Sequence, residues 1–175
     1  MRLAPRDTLA ARHAKLRHAT ATADLDGLVV THLPNIFYLT NFLGTAGIAV
    51  AMRDRLYLVL DFRYASAAKA MWETPHGCPD AEIVAVERTY DETLVALIKK
   101  LQPKRLGIEG NNLTVNRATQ LAGRIGAVLE MGSGGIFDAR TAKTPPDPIS
   151  TISTCVDPEN FVIFELPGVD LLGVG

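Results

Sequence analysis

Two apolar runs stand side by side in the stretch 48–60, which reads IAVAM-RDR-LYLVL. The runs are Ile48–Met52 and Leu56–Leu60, and only Arg53, Asp54 and Arg55 separate them. So short a polar connection joins antiparallel neighbours, and β-branched and aromatic residues favour strands. The stretch therefore predicts a β-hairpin inside the core of the fold.

Strand and helix patterns alternate after this hairpin. The predicted strands are Ile83–Val86, Leu106–Ile108 and Val128–Met131, and the predicted helices are Arg63–Trp72, Thr89–Pro103, Thr114–Ile125 and Ile136–Lys143. Before the hairpin, we predict a helix from Asp7 or Thr8 to Thr22, a strand at Leu28–Thr31 and a short helix beginning near Pro34. Because parallel neighbours need crossover helices, this order predicts an α/β fold of three layers, α/β/α, with a mixed, partly parallel sheet.

Composition excludes several classes of protein. The chain has 175 residues, 47% of them hydrophobic, which excludes wholesale disorder. No run approaches the roughly 18 uncharged apolar residues of a membrane span. A formal charge of −1 provides no basic field for nucleic acid. We therefore expect neither a membrane nor a nucleic acid as partner.

The last 32 residues differ from the rest. Residues 144–175 contain five acidic residues, no lysine or arginine, and five of the ten prolines of the chain. We therefore expect a domain over residues 1–143 and a divergent, acidic, proline-rich tail over 144–175.

The histidines and cysteines do not form an evident metal or nucleophile motif. His13 and His18 lie five residues apart without a carboxylate at helical spacing, so solvated or partly buried histidines are expected. Cys78 follows His76 in a turn without an orienting group. With Cys155 far away, two free thiols in a reducing cytoplasm are predicted.

A glycine-rich segment late in the domain is a candidate phosphate loop. Gly132–Gly135 reads GSGG after a predicted strand, but it lacks both the GxxxxGK[ST] pattern and a well-formed GxGxxG. A plain turn is the favoured interpretation.

Polar residues and glycines surround the hairpin. Gly44, Thr45, Ala46 and Gly47 precede its first strand, and glycines there permit close backbone approach. Asp61, Arg63 and Tyr64 follow its second strand, and with the Gly44 loop they form a candidate site for contact with a substrate or another subunit. A cation at a helix start is unfavourable, so we expect Arg63 to pair with Asp61 or with a carboxylate of a ligand or another subunit.

Five segments occur in the order seen in a known family. They are DGLVV (26–30), LPNIFYLT (33–40), GTAG (44–47), DFRY (61–64) and LGIE (106–109). Over residues 6–143 the chain resembles the creatinase/prolidase N-terminal domain, which precedes the catalytic domain of Xaa-Pro aminopeptidases and Xaa-Pro dipeptidases. Phe62 departs from the glycine usual in the family's DGRY form.

The resemblance implies a creatinase N-terminal, ribonuclease H-like fold and a role beside a catalytic domain. In the family, that catalytic domain has the pita-bread fold and holds two divalent metals, often manganese or cobalt, which activate a bridging water. No segment of this chain matches it, so no metal ligand or catalytic residue is assigned here. Prolines after Lys143 break the helix expected there, and truncation or frameshift explains this most economically. A linker, or an extra edge strand at Phe161–Phe164, is the less economical alternative.

Three functions are therefore considered, and the resemblance implies the first two. The first is a non-catalytic domain that self-associates as a homodimer, or pairs with a full-length peptidase, and closes a neighbouring active site. The second is one part of a working Xaa-Pro peptidase whose catalytic domain lies on another chain. The third is a small-molecule binding module that uses the Gly44 loop and Arg63.

Overall fold

One mixed sheet of seven strands organises the part of the chain that the structure describes. The structure is a computed structural model and describes residues 3–110, 112–125, 127–131 and 135–137. The helices are α1 (Arg6–Thr22), α2 (Leu33–Thr40), α3 (Phe62–Trp72), α4 (Tyr90–Leu101) and α5 (Val115–Ile125). The strands are β1 (Gly27–Val30), β2 (Ile48–Met52), β3 (Leu56–Leu60), β4 (Ala81–Ala85), β5 (Arg105–Ile108), β6 (Val128–Met131) and β7 (Gly135–Phe137).

The predicted hairpin is confirmed with the predicted bounds. Strands β2 and β3 are antiparallel, with Ile48 opposite Val59. Strand β1 pairs antiparallel with β2 and parallel with β5, while β3 pairs parallel with β4 and β5 with β6. The order across the sheet is β4-β3-β2-β1-β5-β6-β7, so the predicted mixed, partly parallel sheet is confirmed.

Alternate residues of the central strands enter two cores on opposite faces. In β1, Val29 packs with residues of α4 and α5, whereas Leu28 and Val30 pack with residues of α1, α2 and α3. Successive side chains of a strand point to opposite faces, so the two clusters lie on the two sides of the sheet. The predicted three-layer α/β/α architecture is therefore confirmed.

Helix α1 begins before the predicted start at Asp7 or Thr8. It starts at Arg6, and Pro5 takes the N-cap position in an extended conformation without a side-chain hydrogen bond. The Arg6 N–H donates instead to the carbonyl of Pro75, 3.1 Å away. A tertiary contact thus satisfies a free amide at the helix start, and a cap by Asp7 or Thr8 is unnecessary.

The capping box of α4 is half formed. Thr89 Oγ1 accepts a hydrogen bond from the backbone N–H of Glu92 at 3.2 Å. The helix ends at Leu101, and Gln102 adopts a left-handed conformation directly before Pro103. Oε2 of Glu92 is buried and has no hydrogen-bond partner among the described residues.

The predicted helix at Ile136–Lys143 is wrong where the structure describes it. Residues Gly135–Phe137 form β7, antiparallel to β6, with Ile136 opposite Glu130. Pairing satisfies the backbone groups along the open side of β6, which a helix at this position would leave unpaired. The rest of that predicted helix, Gly132–Gly134 of the predicted turn, the boundary at residue 143 and the tail lie outside the described residues.

His13 is more buried than we expected. The residue is 3% exposed, its Nε2 lies 2.8 Å from the Leu39 carbonyl oxygen, and the free thiol of Cys78 lies 3.9 Å away. Burial lowers the pKa of His13 below its ordinary value, although the Leu39 carbonyl partly opposes this.

No helix in the described part of the chain combines the length and apolar character that crossing a bilayer requires.

Candidate functional site at the carboxyl end of the sheet

The residues predicted as a contact site all lie at one end of the sheet. Strands β1, β3, β4, β5 and β6 run in the same direction, so their carboxyl ends share one side, called here the carboxyl end. Asp61 follows β3 at this end, and Gly47 enters the antiparallel β2 there. In open α/β sheets, loops at the carboxyl ends of strands are the usual place for binding sites.

Asp61 caps α3 and holds Arg63. Its Oδ1 accepts hydrogen bonds from the backbone N–H and the Nε of Arg63, at 3.0 and 3.2 Å, and its Oδ2 accepts one from Arg63 Nη2 at 2.6 Å. The guanidinium lowers the pKa of the Asp61 carboxyl, and the carboxylate raises the pKa of Arg63. Of the partners considered for Arg63, the structure therefore shows Asp61 of the same chain.

Tyr90 holds Asp61 from the opposite side. The Tyr90 hydroxyl accepts a hydrogen bond from the Asp61 backbone N–H at 3.2 Å and donates one to Asp61 Oδ2 at 3.1 Å. Burial raises the pKa of Tyr90, so its hydroxyl keeps its proton at neutral pH. Asp61 thus joins the start of α3 to the start of α4.

The Gly44 loop is tied to the start of α3. The hydroxyls of Thr45 and Tyr64 share a hydrogen bond of 2.6 Å, which lowers the pKa of Tyr64. The Tyr64 ring also meets the ring of Phe42 edge to face, at 5.6 Å between centroids. A Cβ at Gly44 would overlap the Phe42 ring, so the expected close approach occurs here.

Ala46 and Gly47 line a shallow depression beside this loop. It has a volume of about 240 Å³ and is also lined by Thr31, Leu33, Ile48, Tyr90 and Arg117. Ligand pockets usually enclose about 300–1,000 Å³. Arg63 is not among the lining residues, so the third predicted function, which combines it with the Gly44 loop, gains no support from this depression.

Glu109 is the main residue that the sequence analysis left out of the site. Its Oε2 accepts hydrogen bonds from the backbone N–H groups of Thr31 and His32, at 2.6 and 2.7 Å. Its Oε1 accepts one from Nδ2 of Asn35 at 2.6 Å. A carboxylate at the start of a helix is stabilised by the helix dipole and the free amides there. Glu109 therefore fixes α2 to the end of β5.

Arg117 is a second residue that the sequence analysis missed. Its Nε and Nη2 donate to Oδ1 of Asp91, at 3.1 and 2.5 Å, and this contact joins α5 to α4. One signal could have found both Arg117 and Glu109. Glu109 directly follows the predicted strand Leu106–Ile108, just as Asp61 follows the second strand of the hairpin. Arg117 lies near the start of the helix that comes after the same predicted strand.

The carboxylates of this end do not fit a pair of divalent metals. Glu109 is held by N–H donors, while Asp61 and Asp91 are held by Arg63 and Arg117. Across the described residues, no group of three or more histidine, cysteine, aspartate and glutamate side chains could hold a metal ion. Since metal ligands must present free lone pairs, these carboxylates serve instead to join helices to the sheet and to one another.

Three large apolar side chains are exposed at the same end. Phe62 is 82% exposed, Leu43 is 60% exposed and Val115 is 64% exposed. Phe62 and Leu43 each lie two residues from the hydrogen bond between Thr45 and Tyr64. Thr45, Tyr64, Asp61 and Arg63 form a hydrogen-bonded polar frame at this end. Such a frame, flanked by exposed apolar side chains, is typical of a protein-docking surface.

The chain forms a mixed sheet covered by helices on both faces, and its polar contact residues gather at the carboxyl ends of the strands. These features define an α/β domain of the creatinase type. The sequence model of the Creatinase/Prolidase N-terminal domain matches residues 12–139. The chain therefore belongs to the creatinase/prolidase N-terminal domain family, and this confirms the resemblance stated from the five segments.

Similar proteins are peptidases or amino-terminal domains of peptidases. An uncharacterized peptidase of Bacillus subtilis (strain 168), YqhT, is 32% identical over 100 residues, which are 57% of this chain and 27% of that protein. The Xaa-Pro dipeptidase from Bacillus anthracis superposes with a TM-score of 0.63 and 26% identity, over 70% of this chain and 33% of the enzyme.

A separate amino-terminal domain matches along nearly its whole length. The N-terminal domain of cytoplasmic peptidase PepQ from Mycobacterium tuberculosis H37Rv has a TM-score of 0.58 and 30% identity, over 69% of this chain and 90% of that domain. By contrast, the chain spans about a quarter of the Bacillus subtilis peptidase and a third of the Bacillus anthracis enzyme.

Proposed function

We propose that this chain is the non-catalytic amino-terminal domain of a metal-dependent Xaa-Pro peptidase. It self-associates, or pairs with a full-length peptidase, and helps to close a neighbouring active site with the carboxyl end of its sheet. The observation that carries the proposal is the exposure of Phe62 and Leu43 beside the frame formed by Thr45, Tyr64, Asp61 and Arg63. Family membership and the names of the similar proteins support the class of partner.

The frame suits the task because it is rigid before any partner arrives. Asp61 accepts four hydrogen bonds in all, from Arg63 and Tyr90, and Thr45 is bound to Tyr64. Side chains that are already ordered lose less conformational entropy on binding. Phe62 then supplies an aromatic anchor, the type of residue that dominates protein interfaces.

In this proposal the chemistry belongs to a catalytic domain outside residues 1–143. A pair of manganese or cobalt ions there would polarise the scissile carbonyl and supply a metal-bound hydroxide. The contribution of this chain is to bind beside that site and limit its access to water. The name of the Mycobacterium tuberculosis relative supports a cytoplasmic location, which we include in the proposal.

The competing function is a working peptidase assembled from two chains. Both functions include binding to a catalytic polypeptide, but they differ in whether the partner needs this chain for turnover. If the partner hydrolyses Xaa-Pro substrates fully without this chain, the two-chain enzyme is excluded.

An assay with Xaa-Pro dipeptides and added manganese tests the proposal. The purified chain alone should give no turnover, and its addition to a full-length Xaa-Pro peptidase from the same source should change KM or kcat and produce a complex in light scattering. Turnover by the chain alone, or a chain that is monomeric and leaves the peptidase unchanged, would contradict the proposal.

Two variants locate the effect at the carboxyl end. Phe62→Ser removes the exposed ring, and Arg63→Ala removes the cation held by Asp61; both should weaken the complex. Lys69→Ala is the matched control, since it removes an exposed cation from the same helix, nearly two turns further on. If Lys69→Ala weakens the complex as much as the other two, the carboxyl end is not the docking surface.

A further inference from the structure

Strand β4 is a lateral edge of the sheet in the part of the chain that the structure describes. It is the first strand in the order β4-β3-β2-β1-β5-β6-β7, and among the described residues it pairs only with β3. A strand with an open side presents unpaired backbone N–H and C=O groups, which can pair with another chain.

The residues that face outward can be identified from two hydrogen bonds. The Leu56 N–H donates to the Asp80 carbonyl, and the Val86 N–H donates to the Leu60 carbonyl. Because backbone groups of a parallel ladder alternate in direction, even-numbered residues of β4 face β3. The N–H and C=O groups of Ala81, Ile83 and Ala85 therefore point away from the sheet.

The strand lacks the features that usually protect an edge. Residues 81–86 contain no proline or lysine, and Glu82 is the single charged residue among them. Glu82 is paired with Arg55 of β3, at 2.9 Å, so its charge is compensated within the chain. Edges that avoid pairing usually carry lysine, proline, a bulge or an uncompensated charge.

Packing on both faces anchors β4 at this edge of the described sheet. Ile83 packs against the core cluster of α1, α2 and α3, while Val84 and Val86 pack against the cluster of α4 and α5. Side chains on both faces thus fix the strand, and the outward backbone groups stay in a regular row. A regular row is what a further strand needs for pairing.

We propose that β4 is the self-association surface of this chain, where the β4 strands of two copies pair antiparallel across a two-fold axis at Ile83. The inference rests on the self-association in the proposed function and names its surface. In this register Ile83 lies opposite Ile83 of the copy and Ala81 opposite Ala85. All three outward residues of each chain are then paired, with six N–H···O hydrogen bonds expected from this geometry.

Charge favours a second copy in this orientation. Asp80 and Glu82 lie at the amino end of β4, while the exposed Arg88 follows its carboxyl end. Asp80 lies 3.7 Å from Arg17 of its own chain, yet its side chain stays 62% exposed and can accept a further partner. Antiparallel pairing brings Arg88 of one copy towards Asp80 of the other, within diagonal reach of a long side chain. Glu82 lies opposite Val84 and diagonal to Glu82 of the other copy, and in each chain this carboxylate is already paired with Arg55.

Sedimentation of the full chain over a range of concentrations tests the surface. Ala85→Pro removes an outward N–H that β3 does not use, and edge strands tolerate proline at such a position. It should raise the dimer dissociation constant about 30-fold, from two lost hydrogen bonds of roughly 1 kcal/mol each. Ala85→Thr, which keeps the N–H, is the matched control and should leave the dimer intact.

Disulfide cross-linking tests the register. In a Cys155→Ser background, Ile83→Cys should form a symmetric disulfide, because hydrogen-bonded antiparallel pairs have Cα atoms about 5.5 Å apart. Ala85→Cys should not, since its counterpart lies four residues along the strand, about 13 Å away.

The outcomes separate this inference from the proposed function. A dimer that survives Ala85→Pro, or that cross-links through Ala85→Cys rather than Ile83→Cys, overturns the β4 surface and leaves self-association standing. A chain that is monomeric at every concentration overturns both. The other part of the proposed function, pairing with a full-length peptidase through the carboxyl end, is tested separately by complex formation of the Phe62→Ser and Arg63→Ala variants.

Discussion

Asn35 Nδ2 donates a hydrogen bond of 2.6 Å to Oε1 of Glu109, although the two residues are 74 positions apart. The same carboxylate accepts the backbone N–H groups of Thr31 and His32 through its other oxygen. Two of the five segments that carry the family resemblance, LPNIFYLT and LGIE, therefore meet in one carboxylate-centred contact. This contact sets where α2 leaves the sheet and hence where the following Gly44 loop lies.

Replacing Glu109 by glutamine should destabilise the fold. The carboxylate accepts N–H donors on both oxygens, whereas a glutamine amide would turn its NH2 group towards one of them. We expect the free energy of unfolding to fall by about 1.5–3 kcal/mol, the usual range for hydrogen bonds to a charged group. Urea unfolding followed by circular dichroism measures this change.

Glu87→Gln is the control for this substitution. Glu87 is exposed and follows β4, so the same chemical change there should alter stability by less than about 0.5 kcal/mol. Equal losses in the two variants would mean that general charge, and not the contact with Asn35 and α2, accounts for the effect.

The stability of the chain should decrease as the pH falls below about 6.5, in part through His13. Burial lowers the pKa of His13 from its ordinary 6.5, so the unfolded chain binds a proton at a pH where the folded chain does not. The contribution is therefore complete above pH 6.5 and is lost as the pH falls towards the pKa of the folded state. Urea unfolding at a series of pH values between 8 and 5 measures the slope.

His13→Leu should make that slope shallower, whatever it does to stability at pH 8. His18→Gln is the matched control, since it replaces an exposed histidine of the same helix. An unchanged slope in His13→Leu would contradict the assignment of this pH dependence to His13.

Gly44→Ala should destabilise the chain, and Gly123→Ala should stabilise it. A Cβ at Gly44 overlaps the buried Phe42 ring, and displacing that ring should cost about 1–3 kcal/mol. A Cβ at Gly123, within α5, meets nothing within 4 Å, and alanine there should contribute about 0.5–1 kcal/mol. Thermal unfolding of both variants gives the sign, and shifts in the same direction would refute the packing argument.

The Cys78 thiol should be unreactive in the folded chain. Burial raises its pKa to about 12, so only a very small fraction is thiolate at neutral pH. In a Cys155→Ser background, a thiol reagent such as DTNB should label the native chain at least about 100-fold more slowly than the chain in urea. Rapid labelling of the native chain would mean that the cluster around His13 opens readily.

The hairpin could be predicted to the residue because its information is local. Ile48–Met52 and Leu56–Leu60 are apolar to their ends, and charged residues separate them directly. The start of α1 could not be predicted to the residue, because the backbone N–H of Arg6 donates to the carbonyl of Pro75, far along the chain. The same reason applies to β7, since the open side of β6 decides the conformation of Ile136.

The candidate site was predictable only for residues that lie next to the hairpin. The Asp61 to Arg63 pair spans two positions and follows from charge and helix geometry. Tyr90 contacts Asp61 from 29 positions away, and Arg117 contacts Asp91 from 26 positions away. Only the order of strands across the sheet brings such residues together, and that order requires the whole fold.

The parallel pairing of β1 with β5 has a consequence for synthesis of the chain. Thr31, at the end of β1, contacts Glu109, at the end of β5, and 78 residues separate them. At about 5–20 residues per second, a ribosome adds that length in about 4–16 seconds. During this time β1 can pair with β2 on one side, while its other side stays open. The nascent domain therefore passes through a stage with a partly formed sheet and an exposed strand edge that is prone to aggregation. Binding by a chaperone is most useful at this stage.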